Sequence, residues 1–173
     1  DSVLTANIST VTSLDVISEN IADLTGIEDF AALTELHCYV NNLTSLDVSN
    51  NATLQKLFCW DNQLTILDVS NNPALTNLRC NDNQLTSLDV SNNASLTDFL
   101  CSDNQLTSLD IRNGNNQGLL YFNAMNNQAL NCIDVDDVAW ANNNWSKDTW
   151  TSFSTNCSYF TIWFTIITSR IKF

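Results

Sequence analysis

"LRCNDNQLTSLDVSNNASLTDFLCSDNQLTSLD", from Leu78 to Asp110, nearly repeats itself after 21 residues. One part of each period, QLTSLDVSNN, is kept almost letter for letter, whereas the residues around the cysteine change freely. Extended in both directions, the period gives LTELHCYVNNLTSLDVSNNAT from Leu33, LQKLFCWDNQLTILDVSNNPA from Leu54, LTNLRCNDNQLTSLDVSNNAS from Leu75 and LTDFLCSDNQLTSLDIRNGNNQG from Leu96. A fifth unit, LLYFNAMNNQAL from Leu119, follows a two-residue insertion near Gly114 and has Ala124 in the cysteine place. A degenerate earlier unit starts at Val11 and has Val16 there. Such a period predicts a solenoid in which each unit is one coil that buries its apolar face only by stacking on its neighbours.

The alternation within a unit predicts a short strand. Leu36, Leu57, Leu78 and Phe99, with Cys38, Cys59, Cys80 and Cys101, point inward, and successive coils pair as a parallel sheet. At ~4.8 Å per coil, about six coils make a rod on the order of 30 Å long. Three further ladders complete the expected core: Leu43, Leu64, Leu85 and Leu106; Leu46, Leu67, Leu88 and Leu109; and Val48, Val69, Val90 and Ile111.

The core pattern L-x-x-L-x-C-x-x-N-x-L resembles the leucine-rich repeat family, and most closely its 21-residue bacterial form, the internalin J-like surface proteins with a cysteine in place of one core leucine. The likeness covers roughly Val11 to Asn131. The resemblance implies a repeat solenoid with short parallel strands on a concave face, mostly coil and strand on the convex face and few helices. "NCIDVDDVAWANNNW" through "FSTNC" also resembles the segment that follows such repeats in secreted bacterial proteins. The expected organisation is a truncated N-terminal cap with a degenerate repeat over 1–32, repeats over 33–131, a C-terminal cap over 132–158, and a hydrophobic tail or the start of a following segment over 159–173. The family offers no match for that tail. It is uncharged from Ser158 to Ser169, too short to span a bilayer as a helix, which takes about 20 apolar residues, and it reads as a strand.

Composition narrows the partners. The 173 residues carry 19 acidic and 6 basic side chains, a net charge of -13, so nucleic acid and anionic membrane surfaces are repelled. With Asp1 in place of an initiator Met, the chain reads as a piece of a longer secreted precursor, extracellular or on a bacterial cell surface. Four of the 6 cysteines, Cys38, Cys59, Cys80 and Cys101, share one inward column, whose parallel side chains cannot converge tetrahedrally on zinc; they read as buried small hydrophobes. Cys132 and Cys157 flank a Trp-rich segment, and export favours a disulfide between them that closes the last coil. The column Asn41, Asn62, Asn83, Asn104 and Asn127 reads as buried amides that serve backbone groups of neighbouring coils. The row Asp47, Asp68, Asp89 and Asp110 reads as solvated and hydrogen-bonded, with calcium as the alternative.

The changing letters fall at outward positions beside the inward Leu and Cys. The expected binding surface on the concave face is Glu35, His37, Tyr39, Lys56, Phe58, Trp60, Asn77, Arg79, Asn81 and Leu100. Aromatic anchors with Arg among them typify recognition surfaces, whereas a bare scaffold has no use for variation there; exposed β-formers tolerated on a sheet are the plainer reading. His37 is the single histidine, and no Ser-His-Asp or Cys-His arrangement forms without it, so no catalytic residue, metal or cofactor is assigned. Trp140, Trp145 and Trp150 read as cap, with a sugar-stacking site as the alternative. The function expected is a non-catalytic, monomeric module that binds a protein; a glycan ligand or a plain spacer are the other readings.

Overall fold

The computed structural model describes residues 8–158. The 159–173 segment, read above as a strand or a further segment, lies outside the described residues. The elements are β1 (Ser13–Asp15), β2 (Glu35–His37), β3 (Lys56–Phe58), β4 (Asn77–Arg79), β5 (Ser87–Asp89), β6 (Asp98–Leu100), β7 (Ser108–Asp110), β8 (Tyr121–Asn123), β9 (Cys132–Asp134), α1 (Val138–Asn144) and β10 (Ser152–Ser154). All strand pairs are parallel. One sheet runs β1-β2-β3-β4-β6-β8 and a second, on another face of the coils, runs β10-β9-β7-β5.

The register follows the period. Leu14 stands opposite Leu36, Leu36 opposite Leu57, Leu57 opposite Leu78 and Leu78 opposite Phe99. Phe99 faces Phe122, and the extra residues of that coil are taken up around Gly114, at φ 77, and by a 3-10 turn over Asn116–Gly118. The predicted leucine and valine ladders are buried from end to end. Because a one-residue slip would turn every inward leucine to solvent, the pattern admits one register.

The four ladder cysteines are free and fully buried. Burial pushes the Cys38 thiol up to about 12 from an ordinary value near 9, and Cys59, Cys80 and Cys101 go up for the same reason. The native protein is therefore expected to react slowly with a thiol reagent at about pH 8 and to release four reactive thiols once unfolded. Four fast-reacting thiols in the native state would remove them from the core. Because folding holds these protons more firmly, their contribution to stability is complete below the unfolded pKa near 9 and is lost as pH rises toward the folded values.

Two asparagine ladders tie the coils together. Asn62 Nδ2 donates to the carbonyls of Cys38 and Cys59, at 3.1 Å each, and its Oδ1 accepts from Leu43 N at 2.9 Å. Asn83, Asn104 and Asn127 repeat the pattern. The second ladder is Asn51, Asn72 and Asn93, the last asparagine of each SNN; Asn72 Nδ2 donates to Val48 O and Asn51 O, and Asn93 repeats this one coil on.

Just before each residue of the first ladder, one residue per coil is left-handed: Val40, Asp61, Asp82, Asp103 and Asn126, at φ 54 to 61. Asp and Asn tolerate this region, but a β-branched side chain is strained in it. Val40→Asn is expected to stabilise the protein by about 1 kcal/mol, read as a higher urea midpoint. An unchanged or lower midpoint would mean that Val40 packing outweighs the strain.

Residues 132–158 extend the stack. Asp137 caps α1 by accepting from Trp140 N at 2.9 Å. Trp145 then packs on Phe122, Trp140 and Phe153, with centroids 4.8, 5.0 and 6.0 Å away, and its Nε1 donates to Leu119 O. Cys132 and Cys157 are joined by a disulfide with Cα atoms 5.7 Å apart.

Candidate functional site

The outward side chains of the six-stranded sheet lie in rows that run along the rod, so each stands in register with its counterpart one coil away. In the first row Lys56 Nζ lies 2.8 Å from Glu35 Oε1, and that bond holds the Glu35 carboxyl below its ordinary value. Further along the row Asn77 precedes Asp98. In the second row His37 stacks on Phe58, with centroids 4.9 Å apart and planes 6° from parallel, and the Arg79 guanidinium sits 5.1 Å from the Phe58 ring. Arg79 is also bidentate to Asp98 across the sheet, at 2.6 and 3.3 Å, which raises its pKa. Leu100 follows Arg79 in this row and is half-buried. In the third row Tyr39 and Trp60 stack with centroids 4.3 Å apart and planes 13° from parallel; Asn81 comes next.

This arrangement corrects the picture of a sheet of freely exposed aromatics. His37, Tyr39, Phe58 and Trp60 are half-buried against one another. Asp98, which follows Asn77 in the first row, is buried beneath Arg79. Truncating Tyr39 or Trp60 thus removes a stacking contact worth about 0.5–1.5 kcal/mol to the fold, where free side chains would have cost nothing. The more open apolar groups are Ile66, 74% exposed in the middle of the array, and, toward the C-terminal end, Leu120 at 69%, Tyr121 at 67% and Met125. Leu120 breaks the run Thr34, Gln55, Thr76 and Thr97, and Ile66 replaces the serine of Ser45, Ser87 and Ser108, so both departures are marked in the repeat itself.

Elsewhere the chemistry is structural. Nδ1 of His37 lies 3.9 Å from Asp15 Oδ2, and among the described residues its buried Nε2 has no hydrogen-bond partner. Each Asp of the predicted row accepts, through Oδ1, from the backbone N–H two residues on: Ser49 for Asp47, Ser70 for Asp68, Ser91 for Asp89 and Arg112 for Asp110. The side chains of Ser49 and Ser70, with these backbone bonds, hold the Asp47 and Asp68 carboxyls below their ordinary value, and the Arg112 guanidinium does so for Asp110. Among the described residues no three His, Cys, Asp or Glu side chains converge as a metal site would need. The tryptophan trio is not a platform: Trp145 is 7% exposed and Trp140 packs on the core, so only Trp150, at 48%, is open. Trp150 borders a cavity of about 950 Å³ on the four-stranded sheet with Leu88, Asp89, Asp110 and Asp134.

Parallel ladders, a period of 21 and an inward cysteine column define a leucine-rich repeat solenoid with a cysteine ladder. The particular likeness is to internalin J. It is 47% identical over 51 residues to internalin J of Listeria monocytogenes serotype 4b (strain F2365), a stretch that is 30% of this chain and 6% of that protein. The solved functional domain of internalin J from Listeria monocytogenes, which includes a cysteine ladder, matches with a TM-score of 0.68 and 39% identity over 76% of this chain and 31% of that one. An internalin, InlF, from Listeria monocytogenes strain 4b F2365 shares the fold at 18% identity and TM-score 0.52, over 88% of this chain and 62% of its own. The chain thus spans less than a third of the internalin J chains it matches. A family model, the LVIVD repeat, matches residues 59–78, just under one period. Among the described residues no helix is long and apolar enough to cross a membrane.

Proposed function

We propose that this chain is a non-catalytic recognition module of a secreted or surface-attached bacterial protein, and that it binds a protein partner on the six-stranded sheet, the concave face of a leucine-rich repeat. The observation that carries this reading is where variation sits. Scaffold positions repeat coil after coil, while the outward rows change at nearly every coil and include Tyr39, Phe58, Trp60, Arg79, Leu100 and Tyr121. A spacer has no use for a sheet face so unlike its scaffold. A protein partner is favoured over a glycan because the Tyr39 and Trp60 rings spend one face on each other, 4.3 Å apart. The Cys132–Cys157 disulfide supports an oxidising, extracellular setting.

The test is binding of the intact chain, as a monomer, to a panel of host and neighbour-cell proteins alongside a glycan array. Trp60→Ala combined with Tyr39→Ala is expected to weaken protein binding by about 2 kcal/mol, the loss typical of a desolvated aromatic anchor. Asp68→Asn with Ser70→Ala, on the scaffold half of the same coil, should leave binding intact. Circular dichroism would show that the aromatic variants still fold. If the scaffold changes abolish binding while the aromatic changes do nothing, the partner sits on another face.

A further inference from the structure

We infer that the partner segment is basic: a lysine- or arginine-bearing stretch of polypeptide that lies along the rod, with its cations on the column Asp61, Asp82 and Asp103. The inference rests on the proposed use of the six-stranded sheet and names the chemistry of what binds there. The three carboxylates occupy one position in successive coils, are all exposed, and directly follow Trp60, Asn81 and Ser102, so they border the third row of the sheet. Their nearness to that row is direct for Asp82, whose Oδ2 accepts from Asn81 Nδ2 at 2.7 Å.

The charge on this column is surplus to the fold. All three residues are left-handed, a conformation that Asn adopts as readily, and Asn126 holds the same place in the next coil at φ 61 without a charge. Asp82 accepts from Asn81 Nδ2 and Asp103 from Asn126 Nδ2 at 2.9 Å, bonds that an asparagine oxygen accepts as well, whereas each carboxylate of the other acidic row accepts from the backbone N–H two residues on. Among the described residues no lysine or arginine pairs with Asp61, Asp82 or Asp103. Like charges about 5 Å apart along the rod repel one another, and an incoming cation relieves that repulsion. The cations of the sheet itself are already used: Lys56 is paired with Glu35 and Arg79 with Asp98. What the surface offers a partner is therefore unpaired negative charge along one margin and stacked rings beside it. A guanidinium lying on an outer ring face beside an aspartate satisfies both.

The probes are three synthetic peptides of equal length, with arginine, glutamate or serine alternating with leucine, titrated against the intact chain by fluorescence anisotropy. The arginine peptide is expected to bind, more weakly as salt rises from about 50 mM to about 500 mM. The triple change Asp61→Asn, Asp82→Asn, Asp103→Asn should weaken it about tenfold and flatten the salt dependence, with the melting temperature maintained. Asp47→Asn, Asp68→Asn, Asp89→Asn removes the same charge from the other row and should leave the affinity nearly unchanged. Equal loss in both triples would mean attraction to net charge at large, and equal binding of the glutamate peptide, or no binding of the arginine peptide, would also overturn the inference. If the Trp60→Ala and Tyr39→Ala pair abolishes binding while the Asp61 triple has no effect, the sheet remains the binding surface and only its preference for a basic partner falls.

Discussion

Asn83→Ala is expected to cost about 3–5 kcal/mol, although it removes only a small polar side chain. The amide sits between two coils. Its Nδ2 donates to Cys59 O at 3.0 Å, Cys80 O at 3.2 Å and Asn81 O at 3.2 Å, and its Oδ1 accepts from Leu64 N at 2.9 Å. Alanine strands the Leu64 N–H in a buried interior, at about 1–3 kcal/mol, and it removes the three bonds donated by Nδ2, although the Cys59 carbonyl keeps Asn62 Nδ2 at 3.1 Å. Asn83→Asp keeps the shape but turns a donor into a negative oxygen against three carbonyls, so it should be no milder. Asn92→Ala supplies the control, because Asn92 is exposed and makes a single long bond to Ser70 O at 3.4 Å. Urea midpoints of the three variants would decide; a loss for Asn83→Ala no larger than for Asn92→Ala would mean that solvent replaces the amide.

Register was legible because one period supplies both the inward pattern and the identity of the neighbour. Leu57 is flanked by Leu36 and Leu78 for the same reason that each lies 21 residues away. The Asn column was legible as well, since a polar residue at a fixed place in a stacked core must serve backbone groups. The surface was less so. Outwardness follows from alternation, but the consequence that His37 would lie on Phe58 and Tyr39 on Trp60 needs the rows to be read across coils, and flat rings at coil spacing prefer each other to water. Burial of Asp98 depends on Arg79 folding over it, a side-chain choice that no periodicity encodes. In the cap the period is lost, so nothing in the spacing separated buried Trp145 from open Trp150.

Leu78→Ala tests the stack itself. Leu78 lies at the centre of β4, fully buried, with Leu57 on one side and Phe99 on the other. Truncation forfeits the transfer energy of the lost methyl groups and opens a cavity that a regular ladder cannot collapse into, since moving one coil would break its hydrogen bonds to both neighbours; the expected loss is about 3–5 kcal/mol. In a globular core such damage is shared by the whole domain. In a solenoid each coil holds only its neighbours, so amide exchange should quicken most in the coils of Leu57, Leu78 and Phe99 and least at the ends of the array. Leu14→Ala, in the less buried coil of β1, should cost less and should leave the coils beyond β3 protected. Equal acceleration of every amide would make the array a single cooperative unit, and a loss within about 0.5 kcal/mol would mean that Leu78 is not on the inward face at all. The graded outcome would also explain why the strictest letters of the period are those that touch the next coil: a fault at one scaffold position weakens three coils, whereas a change on the outward rows alters only what the rod presents.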